Sequence, residues 1–210
     1  MAADYKFCPQ CAGALAWVEA EEDGGAKTRL RCAACDFTHW NNPTPVLAAV
    51  VECVDRGGKL LLARNAAWTG RMFALITGFM EAGETPEAGI AREVLEETSL
   101  VAEAVHLIGV YDFQRMNQVI IAYHVQARGE IVLSPELAEY KLFEPGDTLC
   151  WPAGTGYALA EWLRGRGIEP KFIEFANVAP PRPLPGAAPQ GGSRSGPAEP
   201  DPRTPLEERQ

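Results

Sequence analysis

The chain has 210 residues and carries a formal net charge of −9 at pH 7. An acidic protein repels the phosphate backbone, which argues against a general nucleic-acid-binding module. The composition is 47% hydrophobic and 22% charged, as in globular proteins. No apolar run reaches the length of a membrane span, and the N-terminus does not resemble a secretory signal. We therefore expect a cytoplasmic protein without a membrane partner.

The composition divides the chain into three regions. Residues 1–40 contain four of the six cysteines, and residues 44–175 alternate between strand-like and helix-like segments. Residues 176–210 form a tail in which nine of the 31 residues from Pro180 onward are proline. Such a tail cannot bury enough apolar surface to offset the entropy of ordering, so we expect it to be disordered.

Four cysteines in the first region form two CxxC pairs, Cys8 with Cys11 and Cys32 with Cys35. A polar turn containing Gly24 and Gly25 lies between the pairs. Two such pairs at this spacing predict a zinc ribbon with a structural Zn²⁺ held by four thiolates. Redox-active dithiols or disulfides are the alternative. His39 could replace one thiolate, although four cysteines make this substitution unnecessary, and Cys53 and Cys150 are interpreted as core thiols.

The middle region begins with three predicted strands. Pro45 to Val54 is almost wholly apolar, as expected of a strand that is buried on both faces. A glycine-rich turn separates it from a second strand at 59–64. The third, Met72 to Thr77, ends at Gly78.

A helix follows, in which Thr85 is the N-cap and Pro86 the first helical residue. We expect it to end near Thr98, with Leu95 among the residues that face the core. Further strands are predicted at 101–111 and 118–128, and a second helix at 155–166. This order predicts an α+β fold in which helices cover both faces of a mixed sheet. His106 and His124 are expected to be ordinary strand residues.

The first predicted helix brings three carboxylates to one face, because Glu93, Glu96 and Glu97 have the spacing i, i+3 and i+4. Their mutual repulsion can be relieved by a hard cation such as Mg²⁺, which prefers oxygen ligands and also binds phosphates. Taken alone, these residues would more readily be interpreted as a solvated acidic face.

The wider spacing favours the metal site. Gly78 is followed after five residues by Glu84, and after seven more by the segment REVLEETSL, which begins at Arg92. This pattern resembles the Nudix box, and Ser99 is its one departure, since the family has glycine there. The resemblance implies an α/β/α sandwich and hydrolysis that depends on Mg²⁺ or Mn²⁺.

The resemblance also implies residue roles. Glu93 and Glu97 are expected to ligate the metal, with Glu96 as a third or water-mediated ligand and the Gly78 carbonyl as another. Glu84 is expected to pair with Arg92 and fix the preceding loop to the helix. A serine in the left-handed conformation costs roughly 1 kcal/mol relative to glycine. Ser99 is therefore expected to reduce stability without removing a ligand.

A zinc ribbon directly before this domain resembles the NADH pyrophosphatase group of Nudix hydrolases, over about residues 8–165. The resemblance maps a metal-ligating glutamate onto Glu136 within Ser134 to Phe143, and it places Tyr157 near the bound nucleotide. Relatives of this architecture are commonly dimers, which makes a homodimer possible here.

The group's Gln-Pro-Trp signature is missing. The corresponding segment, Tyr111 to Val125, has neither the tryptophan nor the prolines, so a preference for NADH does not follow. Three phenylalanines are possible base-stacking surfaces or simply core residues: Phe73, Phe79 and Phe113. Three acidic residues are candidates for a further ligand or base: Asp112, Glu139 and Glu144.

These observations predict an enzyme that splits a diphosphate linkage in a nucleotide derivative such as NADH, ADP-ribose, FAD or coenzyme A. The alternative from another class is a non-catalytic Nudix module that senses a nucleotide, with the ribbon as a protein or RNA contact. A capped-RNA processing enzyme would use the same chemistry on a larger substrate, but the net negative charge of the chain disfavours nucleic-acid binding.

Overall fold

The computed structural model describes residues 5–173. Its N-terminal part is an antiparallel sheet of three strands, β1 (Leu15–Glu22), β2 (Gly25–Cys32) and β3 (Thr38–His39), in the order β1-β2-β3. Gly24 and Gly25 connect the first two with φ values of 91° and 106°, in a left-handed region that glycine adopts without steric cost. The predicted polar turn is therefore a tight hairpin that brings Leu15 opposite Cys32.

The second part is a mixed sheet of six strands. Its order is β7-β8-β4-β5-β9, and β6 also pairs with β4. Only β4 and β8 run parallel; the other pairs are antiparallel. A short parallel pair lies apart from this sheet. The strands are β4 (Thr44–Cys53), β5 (Lys59–Asn65), β6 (Ile76–Phe79), β7 (Val101–Phe113), β8 (Gln118–Arg128), β9 (Leu137–Phe143), β10 (Leu149–Cys150) and β11 (Lys171–Phe172).

Strand β4 is central and buried on both faces, as its apolar run predicts. Leu47 and Val51 point to one side of the sheet, whereas Ala48 and Val50 point to the other. All four side chains are fully buried. Burying a valine or leucine contributes about 1.5–3 kcal/mol, so this strand anchors both layers of the core.

One helix covers each face, which confirms the predicted α/β/α sandwich. Helix α1 (Pro86–Thr98) packs Ile90 and Val94 against one side, and α2 (Thr155–Gly165) packs Leu159 and Leu163 against the other. The Thr85 hydroxyl accepts the Ala88 N–H at 3.3 Å, so the predicted N-cap is observed.

Two expectations about local structure were wrong, and three strands were not predicted. Leu95 is 50% exposed, because it lies outside the apolar stripe formed by residues 90, 94 and 98. The third strand is short, since only residues 76–79 pair with β4. Gly78 therefore lies within β6, beyond the predicted end of the third strand. Strands β9, β10 and β11 were not anticipated, because none of them is a long apolar or alternating run.

Helix α1 ends at Ser99, which adopts the left-handed conformation with φ 62°. Its N–H donates to the Leu95 carbonyl at 2.8 Å. Its hydroxyl donates to the Val132 carbonyl at 3.2 Å. The serine thus occupies the strained position expected of the family's glycine, and its hydroxyl supplies one compensating hydrogen bond.

His124 is more than an ordinary strand residue. Its Nε2 lies 2.7 Å from Glu52 Oε2, and both side chains are buried. Arg166, beyond the end of α2, also donates to Glu52, at 2.9 Å. Burial lowers the pKa of His124 more than the Glu52 carboxylate raises it, so the neutral imidazole donates to Glu52. This network ties α2 to the central strands.

The predicted disordered tail, 176–210, lies outside the described residues. Neither α1 nor α2 is long and apolar enough to cross a membrane, and no other part of residues 5–173 forms a helix that could.

Candidate functional site

The four cysteines of the N-terminal part converge on one point. Their sulfur atoms all lie within 4.8 Å of one another. The separations are 3.7 Å for Cys8–Cys35 and 3.5 Å for Cys11–Cys32. A tetrahedral zinc site with Zn–S bonds of about 2.3 Å requires sulfur separations of about 3.8 Å. The cluster therefore has the dimensions of a four-thiolate zinc site.

Backbone amides in both CxxC turns are directed at the first sulfur of each pair. The Gln10 N–H donates to Cys8 Sγ at 3.4 Å, and the Ala34 N–H donates to Cys32 Sγ at 3.3 Å. This donation from Ala34 is the main reason that the pKa of Cys32 falls to about 7. A lowered pKa favours the thiolate at Cys32, which is the form that binds a metal. At Cys35 the Phe37 N–H lowers the pKa, but hydrogen bonding to Cys11 and burial outweigh it and raise the pKa to about 12. His39 is not needed as a ligand.

The glutamates of α1 line a separate, acidic cavity of about 460 Å³. Glu93, Glu96 and Glu97 face it from the helix, and Glu136 faces it from the loop before β9. Two cavity residues, Glu81 and Gln118, were not predicted from the sequence. The remaining lining residues are Val46, Thr77, Gly78, Phe79 and Arg92.

Arg92 forms hydrogen bonds with several of the acidic residues and thereby fixes their positions. Its guanidinium donates to both Glu84 oxygens, at 3.1 and 3.0 Å, and also to Glu93 at 2.9 Å and Glu96 at 3.0 Å. It reaches the Phe79 carbonyl at 3.3 Å as well. The hydrogen bond from Arg92 is the largest influence that lowers the pKa of Glu84. The Glu84–Arg92 pair thus joins the loop before α1 to the helix.

No cationic side chain among residues 5–173 forms an ion pair with Glu97. Burial, followed by the charges of Glu93, Glu136 and Glu96, raises its pKa to about 7. Burial likewise raises the pKa of Glu93, although Arg92 opposes that effect. Buried like charges favour protonation unless a cation compensates them. This donor set, made of carboxylate oxygens alone, fits a hard divalent cation.

Gly78 accommodates the close approach of the Glu93 carboxylate. A Cβ atom at this position would lie only 1.9–2.3 Å from the carboxylate atoms of Glu93. Its backbone pairs with Leu47 of β4, so the strand cannot easily retreat. The glycine at the start of the sequence pattern therefore leaves room for the first glutamate of the helix.

Glu136 reaches the cavity because its loop is fastened to the end of α1. Val132 N–H donates to the Thr98 carbonyl and Ser134 N–H to the Glu97 carbonyl, both at 3.0 Å. These bonds satisfy carbonyl groups that a helix C-terminus leaves without intrahelical partners. They also bring Glu136 beside a helix that lies almost forty residues earlier in the chain.

A second cavity of about 700 Å³ adjoins the first. The two share Val46, Thr77 and Gln118 as lining residues. The second cavity is mainly apolar and aromatic. Its other lining residues are Trp68, Met72, Ala74, Leu75, Phe113, Arg115, Met116, Ile120, Trp151, Ala153, Gly154 and Thr155.

Two of the predicted aromatic contacts line a cavity. Phe79 lines the acidic one and Phe113 the apolar one. Phe73 instead packs edge-to-face against Phe143, with centroids 6.3 Å apart. Tyr157 lines neither cavity, and its hydroxyl donates to the Pro152 carbonyl at 2.9 Å. The residues just before it, 153–155, line the apolar cavity in its place.

The three further acidic candidates also lie elsewhere. Glu139 pairs with Arg64 at 3.7 Å, and Glu144 pairs with Lys59 at 3.3 Å. Neither residue lines the acidic cavity, nor does Asp112. Sequence reasoning missed Trp68, Met72 and Arg115, because isolated loop residues carry no periodic signal. The departure of residues 111–118 from the family signature was the one available hint for Arg115.

Two family models match the chain. The NUDIX domain model matches residues 43–163, and the Nudix N-terminal zinc ribbon model matches residues 6–41. The chain is also 28% identical over 159 residues to the NAD-capped RNA hydrolase NudC of Pseudomonas putida. That match covers 75% of this chain but 54% of the relative. The chain thus spans about half the length of the curated relatives it matches.

Solved structures agree with the fold. A NUDIX hydrolase from Nitrosomonas europaea superposes with a TM-score of 0.63 at 27% identity, covering 80% of this chain and 99% of that one. A possible asymmetric diadenosine tetraphosphate hydrolase from Jonesia denitrificans gives 0.51 at 20% identity, covering 61% and 98%. The second likeness concerns the fold alone. Because the NUDIX model spans more than half of the 210 residues, the chain belongs to the Nudix family.

Proposed function

We propose that this chain hydrolyses a diphosphate linkage in a nucleotide derivative, with Mg²⁺ or Mn²⁺ as the catalytic cofactor. The proposed substrate types are NADH, ADP-ribose, FAD and coenzyme A. The observation that carries the proposal is the cavity in which Glu93, Glu96 and Glu97 of α1 meet Glu136 from a distant loop. An apolar cavity large enough for a base adjoins it.

The same carboxylates would hold the metal. Glu93 and Glu97 are the proposed principal ligands, with Glu96, Glu136 and the Gly78 carbonyl as further ligands. A divalent cation would neutralise charge on the diphosphate and lower the pKa of a bound water. The raised pKa of Glu97 supports this assignment, since burial and three neighbouring carboxylates produce it.

The other residues orient the reactants. Arg92 and Glu84 keep Glu93 and Glu96 in place, while Phe113 offers a flat surface for a base in the apolar cavity. The oxygen of a water molecule attacks one phosphorus, and the bond from that phosphorus to the bridging oxygen breaks. The bridging oxygen leaves with the other phosphate, so that two phosphomonoesters form and the protons of the water pass to solvent.

We further propose that the ribbon, residues 1–40, binds one structural Zn²⁺ through Cys8, Cys11, Cys32 and Cys35, and that the hydrolase domain spans 44–175. The dimensions of the sulfur cluster support this assignment. A metal with four protein ligands has no open position for a substrate, so this zinc would act on stability and not on catalysis. The homodimer and the cytoplasmic location stay predictions.

The expectation that nucleic acid is not a partner also stays a prediction. The Pseudomonas relative is named a hydrolase of NAD-capped RNA, and such a cap contains the same type of diphosphate as a free dinucleotide. The net charge of −9 favours the small molecule over the RNA. NADH and a NAD-capped oligonucleotide should therefore be compared directly.

The test is a product-release assay over a panel of nucleotide diphosphates with Mg²⁺ or Mn²⁺, comparing wild type with Glu97→Gln. We expect turnover of at least one substrate by wild type only. Equal turnover by both proteins, or none by either, would refute the proposal. Tight binding of a nucleotide without turnover would instead support the sensor.

A further inference from the structure

Arg115 is the one charged residue among those that line the apolar cavity. It belongs to the turn 114–116 between β7 and β8. Its guanidinium carbon lies 5.2 Å from the centroid of the Phe113 ring. Within residues 5–173, no carboxylate lies within 4.0 Å of the Arg115 nitrogens, whereas seven of the nine other arginines of this region pair with one.

The turn that carries Arg115 is fixed in place. Asn117 adopts the left-handed conformation with φ 51°, and its N–H donates to the Gln114 carbonyl at 3.0 Å. The Asn117 side chain donates to Asn41 Oδ1 at 3.2 Å. Its carbonyl accepts the Thr44 N–H at 2.9 Å. These contacts attach the turn to the start of β4, which lines both cavities through Val46.

The charges of the two cavities differ in sign. The acidic cavity contains five glutamates and Arg92, whose guanidinium is already shared among Glu84, Glu93 and Glu96. A diphosphate held there by metal would place the adjoining ribose and base towards the shared residues Val46, Thr77 and Gln118. An anionic group on that ribose would then face Arg115 across the apolar cavity.

A guanidinium is well suited to such a group. Its N–H donors form a planar fork that binds phosphate in bidentate fashion, and its face can still stack on an aromatic ring. We propose that Arg115 binds a phosphate ester on the ribose, and that the preferred substrates are nucleotide diphosphates with this additional phosphate. The inference rests on the proposed hydrolase function.

The test compares two pairs of substrates that differ by one phosphate. NADPH and NADH differ at the ribose 2′ position, and coenzyme A and its 3′-dephospho form differ at the 3′ position. Steady-state kcat/KM is measured with Mg²⁺ for wild type, Arg115→Gln, Arg115→Lys and Arg128→Gln. Arg128 lies at the other end of β8 and pairs with Glu103 on the surface, so its variant removes the same charge away from both cavities.

We expect Arg115→Gln to lower kcat/KM for the phosphorylated member of at least one pair by about 10-fold, the size of a charge-assisted hydrogen bond. The loss should appear in KM, since Arg115 is remote from the reacting phosphorus. The unphosphorylated member should change less than twofold, which also shows that the variant folds. Arg115→Lys should be intermediate, and Arg128→Gln should match wild type.

Three outcomes would overturn the inference while leaving the hydrolase function intact. The first is an equal loss for both members of each pair. The second is no effect of Arg115→Gln on either phosphorylated substrate. The third is wild-type turnover confined to the unphosphorylated members. If none of the four were turned over while ADP-ribose or FAD was, the inference would also fail; absence of turnover across the whole panel would contradict the proposed function itself. The pair that responds identifies the position of the ribose phosphate.

Discussion

The cysteine cluster and the glutamate cluster are two candidate metal sites that differ in how closely their ligand atoms lie together. The cysteines come from two short turns of one small sheet, and their four sulfurs lie within 4.8 Å of one another. Among residues 5–173 no other group of three or more His, Cys, Asp or Glu side chains brings its ligand atoms this close together. The glutamates are spread around a cavity, and Arg92 holds two of them.

The two sites differ in whether the bound metal must keep coordination positions open for substrate and water. A four-thiolate site encloses its metal and needs nothing from outside. A site that binds phosphate must keep positions for substrate and water. The glutamates line a cavity of about 460 Å³, and no cationic side chain of the described part of the chain neutralises Glu97.

The largest expected effect comes from removing the Glu97 carboxylate, which forms no ion pair within residues 5–173. Glu97→Gln should reduce hydrolysis by at least about 100-fold, the order of magnitude for loss of a key charge-stabilising group. It should also increase the free energy of unfolding of the metal-free protein, by about 1 kcal/mol, because one of several repelling buried carboxylates is removed. Steady-state kinetics and urea unfolding measure the two effects. If Glu97→Gln lowered the free energy of unfolding and left hydrolysis unchanged, both expectations would be wrong.

Alanine substitution of one glycine beside each cluster tests how much space that cluster leaves for an added side chain. A Cβ atom at Gly78 would lie 1.9–2.3 Å from the Glu93 carboxylate, whereas one at Gly13 would lie 3.0 Å or more from its neighbours in the cysteine cluster. Gly78→Ala must displace Glu93, and we expect activity to fall by about 10-fold or more, since small misplacements at an active site are costly.

Gly13→Ala should retain zinc and near-normal activity, because its neighbours need to move by only a few tenths of an ångström. Zinc content by mass spectrometry and kcat/KM are the measurements. If Gly13→Ala were the more damaging of the two substitutions, the steric account of these two glycines would be wrong.

The double variant Cys8→Ser/Cys32→Ser tests the thiol cluster. We expect it to lose the bound zinc, because one sulfur from each pair is removed and structural sites need all four ligands. The ribbon should lose protection against hydrogen exchange, while α1 and the strands around it keep theirs. A variant that retained a full equivalent of zinc would refute the four-thiolate assignment.

The smallest expected effect concerns the end of α1. Ser99→Gly should raise the free energy of unfolding by roughly 0.5 kcal/mol, since relief of the left-handed conformation, about 1 kcal/mol, is partly offset by loss of one hydrogen bond. That lost bond is the one from the Ser99 hydroxyl to Val132. Activity should not change, because Ser99 carries no ligand. Thermal unfolding measured beside kcat/KM would check both statements.

Much of the architecture could be predicted because its signals are local. The capping pair Thr85 and Pro86, the apolar run of β4 and the carboxylates of α1 follow directly from helix and strand periodicity. Strand β9 was missed, since its residues are mostly exposed or half-buried and show no clear alternation. Leu95 was misassigned, because a one-residue step around a helix moves a side chain by about 100°.

The sequence by itself determined which residues could be predicted as metal ligands, since the CxxC pairs and the segment from Gly78 to Leu100 fix both donor type and spacing. The family resemblance indicated Glu136 as a further ligand, but only the tertiary structure decided how it and the other neighbours reach the site. It set Glu136 beside Glu97 through the hydrogen bonds of residues 132 and 134 to α1, and it placed Arg115 on the wall of the apolar cavity. These neighbours are distant in sequence, and only pairing and packing of the sheet bring them together.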